Sequence, residues 1–225
     1  MSTFDRFSSR YDDLLSDPLR SRFAGDAKFF IHGKCRALLH DASRRLSSAR
    51  LRVLDVGCGT GVALDFLRER WSVAGTDVSL GMLREAAPHL PRVLQPGGGL
   101  PFRDGAFDIA YAFCVFHHIP EPERLRHLRE MARVVRPGGL VYVFEHNPHN
   151  PVTRKIFERA PVDAGCTMIP PRRLRALFEA AELSDLARKF VLFVPEKLHR
   201  RLGGIERFLA WLPLGGQYFF RGRKR

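Results

Sequence analysis

The chain has 225 residues, 45% of them apolar and 27% charged, with a formal net charge of +13. That composition excludes a disordered chain and leaves enough apolar matter for one sizeable core. The four cysteines, Cys35, Cys58, Cys114 and Cys166, form no CxxC pair, which argues against a zinc site or a disulfide framework and for reduced thiols in a cytoplasmic protein. No run approaches the roughly 18 apolar residues of a membrane span, and the opening MSTFDRFSSRYDDLL lacks the apolar core of a signal peptide.

In chain order, residues 1–50 read as an N-terminal helical lid, with a helical stretch over 26–46. Residues 51–56 are a short apolar strand, 62–70 a helix, 71–76 a second strand. A helix follows over 79–87, capped by Ser79 and stopped by Pro88. Strands are expected at 92–95, 107–114 and 140–144. Between the last two, residues 121–135 place Leu125, Leu128, Met131 and Val135 on one helical face. The alternation of strand and helix predicts an α/β domain spanning 1–225, doubly wound around a mostly parallel sheet. After Glu145 the alternation stops. Residues 147–171 are Pro-rich and read as a cap, partly helical or loop, and 172–181 as a helix. Segments 190–194 and 217–222 read as a closing antiparallel pair with an amphipathic insertion, 196–213, between them.

The glycines of DVGCGTG sit where an apolar strand meets a helix. Such a turn aims backbone N–H groups and a helix N-terminus at one spot, and in open parallel sheets that spot is the ligand crevice. Gly57 and Gly59 fit the dinucleotide pattern GxGxxG, but its third place is Val62. Asp55, just ahead of the loop, suits a ligand amino group better than a pyrophosphate. Asp77, at the end of the second strand, stands where an acid takes ribose hydroxyls. An ammonium, a carboxylate and a ribose together describe S-adenosylmethionine.

The segments LDVGCGTG, TDVS, LPFRDGAFDIAYAFCVFHHI and VVRPGGLVYV, in this order, resemble the class I S-adenosylmethionine-dependent methyltransferases, in particular the small type 11/12 groups. The resemblance implies a Rossmann-like seven-stranded, mostly parallel sheet with an antiparallel last strand. It implies that Asp55, Gly57, Cys58, Gly59 and Gly61 hold the methionine end of the cofactor, Asp77 the ribose, and Val78 and Leu100 the adenine. The family's usual acid after the third strand is missing: the segment reads QPGGG.

His117 and His118 follow the fourth strand and Glu145, His146 and Asn147 the fifth, at the carboxyl ends where a substrate is met. A histidine of near-neutral pKa suits proton removal, so His146 and His117 are the candidate bases, although proximity alone can drive methyl transfer. His118, Asp104 and Asp108 read as structural. Phe113, Cys114 and Phe116 are candidates for the methyl pocket, Glu145 and Asn147 for substrate contact. Tyr11 resembles an aromatic that closes over the cofactor in relatives, and Arg154 and Lys155 suit an acidic substrate.

Between Glu196 and Arg225 eight Lys/Arg face two Glu, interleaved with Trp211, Leu212, Leu214, Tyr218, Phe219 and Phe220. A basic aromatic tail suits a membrane interface or RNA; a buried last strand with a solvated end is the preferred reading. The expected function is methyl transfer to an O- or N-nucleophile of a small natural-product, saccharide or lipid-like acceptor, by a monomer or homodimer and without a metal. The alternatives are an RNA or tRNA methyltransferase, whose binding would depend steeply on salt, and a non-catalytic cofactor-binding module.

Overall fold

The computed structural model describes residues 3–10, 14, 17–48, 50–95, 97 and 99–225. Seven strands form one sheet: β1 (Arg52–Val56), β2 (Ser72–Asp77), β3 (Arg92–Leu94), β4 (Phe107–Phe113), β5 (Val135–His146), β6 (Ser184–Val191) and β7 (Gln217–Arg223). Their order is β3-β2-β1-β4-β5-β7-β6. β7 runs antiparallel to both neighbours, and the remaining pairings are parallel. The order reverses beside β1, which puts the crevice for a ligand at that strand's carboxyl end.

Side chains of a strand alternate between faces, and the two halves of the core follow that alternation. Val53, Ile109, Tyr111, Tyr142 and Phe144 pack on one face with Leu38 of α2 (Ala27–Ser43) and Leu64 and Leu67 of α3 (Val62–Leu67). A short helix, α1 (Pro18–Phe23), precedes α2. Leu54, Val56, Ala110, Val141 and Val143 pack on the other face with Leu128 and Met131 of α5 (Arg124–Val134) and Leu174 and Phe178 of α7 (Pro171–Ala180). The helix α4 (Leu80–Glu85) starts under Ser79, whose Oγ accepts from Met82 N at 3.1 Å.

The Pro-rich cap contains a helix, α6 (Pro151–Arg159). Asn150 caps it by accepting from Val152 N and Thr153 N at 3.0 Å, and Pro151 sits at the first turn, where its missing N–H is harmless. The last pair differs from the expected boundaries. β6 begins at Ser184 and ends at Val191, because it is an edge strand whose outer positions are polar. β5 begins at Val135, and its pairing with β4 shifts across the RPGG turn. There Asp108 accepts from Arg52 N at 2.8 Å and Arg136 Nε at 2.6 Å, the structural role expected of it. The insertion before β7 holds two short helices, α8 (Glu196–Leu202) and α9 (Glu206–Leu209).

Candidate active site

The carboxyl end of β1 opens into the glycine loop. Gly57, Gly59 and Gly61 have φ of +80°, +53° and +82°, a left-handed region that suits glycine. Packing adds a second reason: a Cβ on Gly57 would stand 2.5 Å from Val115, and one on Gly61 2.7 Å from Leu90. Asp77 braces the loop. Its Oδ2 accepts from Gly59 N at 2.8 Å and its Oδ1 from Ser79 N at 2.9 Å. Burial raises the Asp77 pKa against those hydrogen bonds.

Asp55 is buried and its Oδ1 has no partner. Burial pushes its carboxyl up to about 7, with Tyr111 pulling it down and the charge of Asp77 raising it further. An orphaned acceptor beside a bare loop is the feature a ligand ammonium fits, since an unpaired buried charge is costly.

A cavity of about 370 Å³ has Asp55, Gly57, Cys58 and Gly59 in its wall together with Phe113, Cys114, His117, His118 and His146. Cys114, the residue after β4, has φ +58°, a strained value for a non-glycine residue. From α2, buried Lys34 approaches: its Nζ donates to Cys114 Sγ at 3.5 Å and lies 5.1 Å over the Phe113 ring.

His117 is clamped between two carboxylates. Its Nδ1 is 2.7 Å from Glu145 Oε2 and its Nε2 3.2 Å from Asp163 Oδ1. Glu145 also accepts from the backbone N of Phe116 at 2.9 Å and of His117 at 3.3 Å. Burial works against a charged ring, but the Glu145 charge and the two hydrogen bonds outweigh it and push His117 up to about 10. His146 and His118 go the other way, to about 4, through burial first and the His117 charge second. At neutral pH one ring is therefore a fixed cation and two are neutral. His118 Nδ1 lies 3.2 Å from Cys166 Sγ. Atoms of His117, His118 and Asp163 lie within 4.8 Å of one another, a spacing open to a cation, but Glu145 and Asp163 already engage both nitrogens of His117.

The expected residues thus fall into three groups. Asp55, Gly57, Cys58, Gly59, Phe113, His117 and His146 line the cavity. Gly61 caps α3, Asp77 supports the loop, Leu100 is buried nearby in the opposite core and Val78 is exposed. Phe116, Glu145 and Asn147, the candidates for the methyl pocket and for substrate contact, are fully buried and lie outside the lining. Asn147 ties loops together instead: Nδ2 donates to Pro213 O at 3.0 Å and Gly215 O at 2.7 Å, and Oδ1 accepts from His149 N. Tyr11 lies outside the described residues. Arg154 and Lys155 are exposed on α6. The tail is a buried strand: Tyr218, Phe219 and Phe220 are covered, while Trp211 and Leu214 are not.

Lys34 and Asp163 belong to the site without being among the sequence candidates. Lys34 left a signal, since it falls in the apolar register of Phe30, Ile31, Cys35, Leu38 and Ala42. Asp163 left none. A further contact lies at the N-terminus: Asp5 Oδ1 accepts from Ser79 Oγ at 2.7 Å and Gly81 N at 3.0 Å, and Phe4 meets His118 edge-on at 4.9 Å. Residues 3–10 thereby join the loop after Asp77 to the histidine cluster.

The strand order with one reversed strand, the crevice at β1 and the glycine loop define the fold of class I S-adenosylmethionine-dependent methyltransferases. Residues 54–143 match the family described as a methyltransferase domain, and this segment is such a domain. A phosphatidylethanolamine N-methyltransferase of Cereibacter sphaeroides is 36% identical over 120 residues, 47% of this chain and 58% of that one. A demethylmenaquinone methyltransferase of Mycolicibacterium vanbaalenii is 35% identical over 160 residues, 69% of this chain and 62% of that one. The chain spans about three-fifths of the length of these relatives. In three dimensions it is similar to a methyltransferase of Thermotoga maritima described as a possible histamine N-methyltransferase, with a TM-score of 0.71 at 19% identity over 99% of this chain and 98% of that one. That likeness concerns the fold.

Proposed function

We propose that the chain transfers a methyl group from S-adenosylmethionine to an O- or N-nucleophile of a small, lipid-like acceptor. The observation that carries this reading is one cavity shared by the glycine loop, with its orphaned Asp55 oxygen, and the histidine cluster. Bound at the loop, S-adenosylmethionine supplies an electrophilic methyl group. Asp55 holds its ammonium, Asp77 its ribose hydroxyls through the remaining lone pairs, and Val78 and Leu100 the adenine. Residues 3–10 act as a lid, since Asp5 already reaches the loop beside Asp77.

His146 is the proton acceptor. Its lowered pKa keeps the ring neutral at neutral pH, so a lone pair is available, although its weak basicity makes alignment of the nucleophile the larger contribution. His117 is already protonated and serves as a fixed positive charge, with Glu145 and Asp163 as positioning residues. The lipid-like acceptor is supported by the apolar members of the wall, Phe30, Phe113, Ile156 and Phe157, and by the names of the two curated relatives.

Calorimetric titration with S-adenosylmethionine tests the cofactor site. Binding is expected in the wild type and lost in Asp55→Asn and Asp77→Ala. Because Asp55 ionises near 7, affinity should be about tenfold higher at pH 8 than at pH 6. Equal binding by Asp55→Asn removes the ammonium assignment. Labelled methyl offered with phosphatidylethanolamine, with a demethylated quinone and with RNA then decides the acceptor; label in RNA alone, with a steep salt dependence, overturns the lipid reading.

A further inference from the structure

Between β6 and β7 the chain leaves the sheet for residues 192–216, and past buried Leu192 and Val194 this insertion exposes most of its large apolar groups. Leu198, Leu202, Ile205, Phe208, Trp211 and Leu214 are all exposed, Trp211 at 72% and Phe208 and Leu214 at 63%. Leu198, Leu202 and Ile205 recur at helical spacing, the pattern of one apolar stripe. Six large exposed apolar side chains between residues 198 and 214 are more than the scattered single ones a surface normally carries, and they point to an interaction surface.

The charges of the insertion are sorted by sign. Its two acids turn inward onto backbone amides. Glu196 accepts from Gly25 N at 2.7 Å and Asp26 N at 3.3 Å, and Glu206 accepts from Phe193 N and Val194 N at 2.9 Å. Its cations, Lys197, Arg200, Arg201 and Arg207, are exposed, and Arg207 lies 4.5 Å over the Phe208 ring. Glu196 thus ties the insertion to the body and Glu206 ties it to its own first residues, and what faces outward is apolar and positive. Leu214 lines the cavity, as does exposed Val152 of α6, so this surface meets the mouth of the cavity.

We infer that the 192–216 insertion docks on an anionic lipid bilayer. Trp211, Phe208 and the leucines enter the headgroup–acyl boundary, and the basic residues lie among the phosphates, the arrangement of interfacial amphipathic segments. A bilayer fits both halves of the surface, whereas an RNA would leave six exposed apolar side chains uncovered. Docking would present an acceptor from the lipid phase to the cavity mouth; that purpose rests on the lipid-like acceptor proposed above, but the binding itself does not.

The experiment uses the full chain and flotation with vesicles of phosphatidylcholine, with and without phosphatidylglycerol. The chain is expected to float with the anionic vesicles and much less with the neutral ones, and added salt should weaken flotation. Tryptophan emission should shift to the blue on binding, a change that reports Trp211 because Trp71 is buried. Phe208→Ser with Trp211→Ser, which touch neither core nor cavity, should weaken vesicle binding at least tenfold and leave the affinity for S-adenosylmethionine unchanged. Several results overturn the inference: wild-type chain left at the bottom of the gradient, flotation untouched by the two serines, or self-association without lipid that the same serines abolish, which would assign the surface to a second copy. Loss of cofactor binding in the wild type, with vesicle binding intact, would instead overturn the proposed activity.

Discussion

Two clusters of buried charge hang on β5, three residues apart and hence on opposite faces of the sheet. At Tyr142 the cluster is closed. Asp41 accepts from the Tyr142 hydroxyl at 3.0 Å and Lys189 Nζ at 2.6 Å, and Arg221 Nε lies 3.2 Å away. Arg221 is itself 1% exposed and donates to Asp185 Oδ2 at 2.7 Å. None of these groups lines the cavity. At Glu145 the same ingredients, a buried acid and a buried cation, open through His117 and Asp163 onto the cavity. Buried ion clusters are weak evidence for stability and weaker evidence for function; what separates these two is whether a member borders space that a ligand can fill.

The sharpest way to break that comparison is to damage the closed cluster. Asp41→Ala leaves Arg221 and Lys189 without their shared acid and should destabilise the fold by about 3–5 kcal/mol, while folded molecules retain their affinity for S-adenosylmethionine. Denaturant unfolding and calorimetry on one preparation check both parts. Cations around Asp41 outweigh its burial and lower its pKa. Its contribution to stability is therefore present above about pH 4 and lost as pH falls through the lowered value. The variant should lose less stability in acid than the wild type.

Glu145→Gln tests the open cluster with a smaller structural effect. The amide oxygen can still accept from Phe116 N and His117 N, so the stability loss should be about 1–3 kcal/mol. The charge beside His117 is gone, however, and the His117 titration should move down from about 10, which NMR of the ring protons reads directly. Wild-type His117 contributes stability that is full below about pH 6.5 and lost as pH rises through about 10. In the variant that contribution should be smaller and should be lost completely at lower pH. An unmoved titration would show that Glu145 is not what holds the charge on His117.

The glycine loop, the first two strands and the order of the parallel half were legible because their signals are local: an apolar run, a turn, a helix start. β6 starts six residues before its apolar run at 190–194, because an edge strand such as Ser184–Val191 buries little and shows no apolar alternation. The helix in the cap was obscured by prolines, although Asn150-Pro151 is itself a start signal. In the site, His117 and Glu145 were both singled out, but as separate polar residues at two strand ends. Their pairing depends on β4 and β5 lying side by side, which no spacing of 28 residues reveals. Asp163 joins them from beyond α6, through a turn whose path only the folded cap sets.

The smallest expected effect is the absence of one. An ordinary histidine base would bend the pH–rate profile near 6.5. His146 sits at about 4, so kcat at saturating S-adenosylmethionine, with a hydroxyl acceptor, should stay flat between about pH 5 and 9. Saturation matters because Asp55, near 7, would otherwise impose its own bend through cofactor binding. The largest depressing influences on His146 are burial and the His117 charge, in that order, with Lys34 adding a smaller one. Glu145→Gln removes the second in so far as His117 then gives up its proton, and the smaller upward pull of the Glu145 charge goes with it, so the net shift of His146 is upward once His117 is discharged. An inflection should therefore enter the variant's profile from the acid side without reaching 6.5. A wild-type profile that already bends near 6.5 would overturn the assignment of a depressed, neutral His146 as the proton acceptor.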